Sequence, residues 1–148
     1  MSDIQELVHG LRDKNAKNAC QCLKQLGSES ENTDAVYAYF DYFAEMLDDI
    51  NSYIRTRGIL LIAANAKWDK DYKIDEVIDV YLKHIIDDKP ITSRQCIKAL
   101  PVIATYKPDL INVICEALRK ANPHIYKSSM QPLVSKDIQE ALKTIEKL

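Results

Sequence analysis

The sequence predicts an all-α protein, a helical solenoid of about four helix pairs forming one domain over residues 1–148. Three observations carry this. Apolar residues recur at i, i+3, i+4 and i+7 almost throughout. Alternating β-branched runs bounded by turn pairs are missing. The chain also resembles itself at a spacing near 40 residues, a period typical of helical repeats. Composition points the same way: 47% apolar, 28% charged, 3 Gly and 5 Pro describe a chain able to bury a core, not a disordered or collagen-like one.

Each element follows from its own pattern. Ile4, Leu7, Val8 and Leu11 form the stripe of a first helix, and Ala16, Ala19, Cys20, Leu23 and Leu26 that of a second. Gly27, Ser28, Ser30 and Asn32 predict a polar loop ending it, with Asn32 or Thr33 capping the third helix, Val36 to Ile50. Asn51 is placed to cap a fourth helix, whose stretch Ile54–Ala66 is apolar on nearly all sides and predicts a central position. Val77, Ile78, Tyr81 and Ile85 mark the fifth helix, and Pro90 divides it from a sixth carrying Ile97, Leu100, Ile103 and Ala104. Pro108 and Pro123 suit first helical turns, and Ser135 is the expected cap of a last helix through Ile145.

The self-similarity is specific. Asp48-Asp49 precedes Arg55 as Asp87-Asp88 precedes Arg94, at an offset of 39. Leu60, Ala64, Lys67 and Asp69 match Leu100, Ala104, Lys107 and Asp109 at an offset of 40, with the slip near Pro101. The stretch Asp49…Ile54-Arg55-x-x-Gly58-x-x-x-Ile62 resembles the HEAT-repeat pattern of a turn Asp, an aliphatic-Arg pair, a small residue and an aliphatic. Ser52–Gly58, Ala66–Asp69 and Ile91–Cys96 are also similar to a bacterial family of short HEAT-like proteins, sometimes labelled as related to Fe–S assembly. The Cys and His spacing here does not support that label. The resemblance implies an armadillo-type, right-handed α-α superhelix whose second helices line a concave face.

Charge divides by helix. The net charge is −2. Yet the first members of the pairs (1–13, 33–50, 73–88 and 108–121) carry −2, −5, −3 and 0, whereas the second members (14–27, 51–67, 89–107 and 122–148) carry +3, +3, +4 and +1. With second helices inside, the concave face is expected to be basic. The candidate partner-binding residues are then Lys14, Lys17, Lys24, Arg57, Lys67, Trp68, Arg94, Lys98 and Lys107. A structural reading competes: Arg55 and Arg94 bond to acidic turns within and between repeats, and Trp68 plugs a junction between repeats rather than anchoring a partner.

No catalytic, metal or cofactor site is expected. The chain has no Gly-x-Ser-x-Gly and no glycine-rich phosphate loop. His9, His84 and His124 lie in different helices, and Cys20-x-Cys22 diverges on a helix. Cys20, Cys96 and Cys115 are expected in apolar stripes as inert thiols. No apolar run approaches the length of a membrane helix and the first residues are polar, so no membrane association, no signal peptide and a cytoplasmic location are expected. The expected function is a non-catalytic protein-interaction or scaffold module whose concave face takes a protein partner, such as an acidic segment. The alternative is nucleic-acid backbone binding along a basic groove.

Overall fold

Helical periodicity and scarce glycine leave the chain little choice but helix. The computed structural model describes residues 3–148; the polar start at Met1 and Ser2, read above as free of a signal peptide, lies outside the described residues. Eight α-helices and no strand occur among the described residues: α1 (Ile4–Gly10), α2 (Ala16–Asn32), α3 (Phe40–Met46), α4 (Ser52–Ala64), α5 (Lys73–Leu82), α6 (Pro90–Tyr106), α7 (Ile111–Lys120) and α8 (Gln131–Glu146). Short 3₁₀ turns extend or link them, as at Val36–Tyr39, Ala66–Trp68, Lys83–Ile86, Pro108–Leu110 and Pro123–Ile125.

The helices pack in pairs, α1 on α2, α3 on α4 and α7 on α8. The third pair meets through the 3₁₀ turn Lys83–Ile86, which packs on α6. Second helices also pack on one another in sequence order, α2 on α4, α4 on α6 and α6 on α8. One apolar cluster runs from Leu7 to Ile145, with Phe40, Phe43, Ile62, Ile74 and Tyr81 deep inside it. Gly58 lets α3 and α4 approach: a Cβ there would lie 2.9 Å from the Met46 Cβ and 2.9 Å from the Phe43 carbonyl oxygen.

Several boundaries differ from the expectation, each for a local reason. Helix α2 does not stop at Gly27 but continues to Asn32. Ser30 is buried there; its hydroxyl donates to the Leu26 carbonyl and accepts from Asn65 Nδ2, so a tertiary contact holds the last turn. Asn32 therefore caps nothing, while the Thr33 hydroxyl accepts from the Ala35 N–H. Asn51 caps α4 as expected, accepting from the Tyr53 N–H at 2.8 Å. Ser135 lies inside α8, which begins at Gln131. Cys20 is exposed, because the buried stripe of α2 passes through Ala19 and Leu26 instead. Cys96 and Cys115 are buried.

Candidate functional site

A ladder of arginines ties neighbouring pairs together. Arg12 Nη1 donates to Asp49 Oδ2 at 2.7 Å, Arg55 grips Asp87, and Arg94 Nε donates to Asp137 Oδ2 at 2.6 Å. Each arginine precedes or opens a second helix and reaches a carboxylate in the next pair. Arg55 also donates from Nη1 to the Asp49 and Ile50 carbonyls, closing its own turn. Asp87 gains further donors from His84 and the Lys89 N–H. Burial pushes the Asp87 carboxyl up, but His84, Arg55 and that N–H outweigh it and hold it well below the usual carboxylate range.

A second polar knot closes the junction after α4. Asp69 accepts from the Tyr37 hydroxyl at 2.7 Å and from the N–H groups of Lys73 and Ile74, which cap α5. Lys107 is buried against it, with Nζ 3.2 Å from Asp69 and 2.7 Å from Asp75. Burial lowers the pKa of this ammonium, but the two carboxylates outweigh that and keep it above its ordinary value. The Lys107 ammonium also stands 4.5 Å from the ring centre of Tyr72. Tyr72 is the single positive-φ residue among the described residues, at φ 57°, where a side chain is strained.

These contacts sort the nine candidates. Lys107 is corrected: it is a buried internal ion-pair partner, not a binding cation. Arg94 is likewise held by Asp137, and Arg57 donates to the Leu11 carbonyl at 2.8 Å. Trp68 is half-buried at the α2–α4 junction, its indole N–H donating to the Ser30 carbonyl at 2.7 Å. Lys67 Nζ donates to the Glu31 carbonyl at 2.7 Å while remaining at the surface. Lys14, Lys17, Lys24 and Lys98 are exposed and make no ion pair among the described residues.

What the structure brings together is smaller than a continuous basic face. A groove of about 490 Å³ crosses α2, α4 and α6. Its floor is Ala63 and Ala64; Lys24, Glu31 and Lys67 line one side, and Val102 and Tyr106 the other. It adjoins a cleft of about 460 Å³ bordered by Trp68, Lys70, Tyr72 and Tyr106, with Lys67 and Tyr106 shared. Lys98 stands apart, over a shallow cleft of about 160 Å³ between α6 and α8 that also holds Glu140. Lys14 and Lys17 lie at the start of α2, away from the groove.

Sequence reasoning missed Val102, Tyr106 and the Ala63–Ala64 floor. The signal was present: two small residues at the end of α4 face half-exposed apolar residues one repeat later. This surface offers shape, apolar contact and two cations, Lys24 and Lys67. No described helix is long and apolar enough to cross a membrane. No family model, curated protein or solved structure matches this chain.

Proposed function

We propose that the protein is a non-catalytic interaction module that takes a protein partner in the groove across α2, α4 and α6. The helix pairs are read as a HEAT-like, right-handed superhelix with the second helices on its concave side, a reading supported by their serial packing and by the arginine ladder. The observation that carries the function is the groove itself. An alanine floor admits a partner backbone or a bulky side chain, while Val102 and Tyr106 offer apolar contact. Lys24 and Lys67 favour a carboxylate beside it, and Glu31 disfavours a uniformly acidic strand. The partner is therefore an amphipathic segment with an apolar anchor and an adjoining acidic residue.

A protein partner is favoured over nucleic acid because Arg57, Arg94 and Lys107 are held internally, leaving few clustered cations to displace counterions. Selection from a random peptide library on the purified protein tests the reading. Enriched acidic–apolar peptides that compete poorly after Ala64→Trp or Lys24→Glu support it. No enrichment, together with salt-sensitive binding of a generic oligonucleotide, rejects it.

A further inference from the structure

Three successive turns at the N-terminal ends of the second helices carry exposed large apolar residues. Ile50 is 98% exposed and Tyr53 70% in the α3–α4 turn, Ile86 44% and Ile91 68% around the α5–α6 turn, and Ile125 56% in the α7–α8 connection. Half of the ten large apolar residues exposed among the described residues lie here. The turns are neighbours in space. Arg55 bonds the Ile50 carbonyl and the Asp87 carboxylate at once, and the Tyr126 hydroxyl donates to the Asp87 carbonyl. Between the helix starts, the hydroxyls of Thr56 and Thr92 are 2.9 Å apart. At a helix spacing of about 8–10 Å, the three turns make a strip on the order of 20 Å long. The first turn, Asp13-Lys14-Asn15, is polar and bounds the strip.

Residues of opposite charge flank the two ends of this strip, and at the Ile50 end Asp49 is already paired with Arg12. Exposed Asp48 flanks the Ile50 end, and exposed Lys127 flanks the Ile125 end. Asp88 and Lys89 sit side by side at the middle turn; Asp88 touches Arg55 but keeps a side chain 76% exposed. Such a strip is complementary to itself when reversed. A two-fold axis through the middle turn sets Asp48 against the partner's Lys127, Asp88 against the partner's Lys89, and Ile50 and Tyr53 against the partner's Ile125.

We propose that this edge is a homodimer interface, two copies meeting antiparallel along the three turns. The groove proposed for partner binding lies at the opposite ends of α4 and α6, roughly 20 Å away for a helix of this length, so both grooves of the dimer stay open. The strip is small beside the roughly 800 Å² per partner of a standard interface, so the dimer is expected to be reversible and of about micromolar affinity. The proposal stands independently of what the groove binds.

Sedimentation velocity on the full chain from about 1 µM to about 500 µM tests it. The expected result is a concentration-dependent monomer–dimer equilibrium. Ile91→Asp should abolish it with an unchanged melting temperature, because Ile91 is exposed. Each ion pair occurs twice about the axis, so Asp48→Lys or Lys127→Glu alone should weaken the dimer roughly tenfold, and the two together should restore it. A monomer throughout this range, a dimer indifferent to Ile91→Asp, or a double reversal that restores nothing overturns the proposal. A monomer that sediments with anionic phosphatidylserine vesicles would instead assign the strip to a lipid surface, and overturns it equally.

Discussion

Arg55 grips Asp87 with both prongs of its guanidinium, Nη2 to Oδ1 at 2.8 Å and Nε to Oδ2 at 3.0 Å, across the boundary between two helix pairs. Both residues are buried. Removing one member leaves the other charge uncompensated away from water. Arg55→Ala or Asp87→Ala should therefore lower unfolding stability by about 3–5 kcal/mol, measured by urea denaturation. The exposed ion pair Arg119–Glu146, between α7 and α8 of one helix pair and with both side chains 59% exposed, provides the contrast: Glu146→Ala should change stability by about 1 kcal/mol or less.

The same carboxylate sets a dependence on acid. Asp87 and Asp69 are held below their ordinary values, each by hydrogen-bond donors that outweigh burial. In the unfolded chain both would titrate near the ordinary value of about 3.9. A depressed folded pKa means the unfolded state takes up protons first. Stabilisation from these groups is thus complete above the ordinary carboxylate range and is lost as pH falls through the folded values. Urea midpoints measured from about pH 6 down to about pH 2 should fall steadily, and Asp87→Asn should flatten that slope. An unchanged slope in the variant would show that Asp87 contributes nothing to the acid sensitivity.

Thiol reactivity should separate by burial. Cys20 is exposed on α2, whereas Cys96 is buried and burial pushes its thiol well above the ordinary value. Labelling with a disulfide reagent at neutral pH should modify Cys20 rapidly, and Cys96 and Cys115 only on the timescale of unfolding. Fast labelling of Cys96 in the native protein would contradict the packing of α6.

Gly58 is a steric test of the α3–α4 contact. A methyl group there meets a backbone carbonyl at 2.9 Å, and a carbonyl cannot swing aside as a flexible side chain can. Gly58→Ala should destabilise by about 1–3 kcal/mol, although alanine is the better helix former. A stabilised variant would mean that the two helices separate at no cost.

The all-helical fold was legible because the apolar stripes obey one period almost without interruption. Asn51 was legible as a cap, and Arg55 as a structural residue because the repeat offset placed it after an acidic turn; Arg94, at the matching position, carried both a structural and a partner-binding reading. What the offset could not give was the acceptor. Arg94 reaches Asp137 in the body of α8 rather than a turn aspartate, because the fourth pair departs from the repeat. The end of α2 was hidden for a related reason: Ser30 and Asn65 meet across 35 residues, and no local pattern at Gly27 announces it. Lys107 had a readable hint in its match to Lys67. The carboxylates that bury it lie 38 and 32 positions earlier, so summing charges by helix counted it as free.

One substitution type sorts the basic residues by role. Lys17 and Lys98 are exposed and make no ion pair among the described residues, so Lys17→Glu and Lys98→Glu remove no internal contact. Their melting temperatures should stay within about 2 °C of the parent, as surface changes near ±0.5 kcal/mol imply for a chain of this size. Lys107→Glu places a third carboxylate between Asp69 and Asp75, in a site that admits little water. Arg94→Glu sets a carboxylate against Asp137. Both reversals should lower the melting temperature sharply, Lys107→Glu more, because its partners are two and its site is the more buried. Lys24→Glu forms the remaining class: the side chain borders the groove without holding the fold, so stability should persist while binding of a selected acidic peptide falls about tenfold. If Lys24→Glu unfolds the protein as Lys107→Glu does, the residue belongs to the fold and the groove loses its cation.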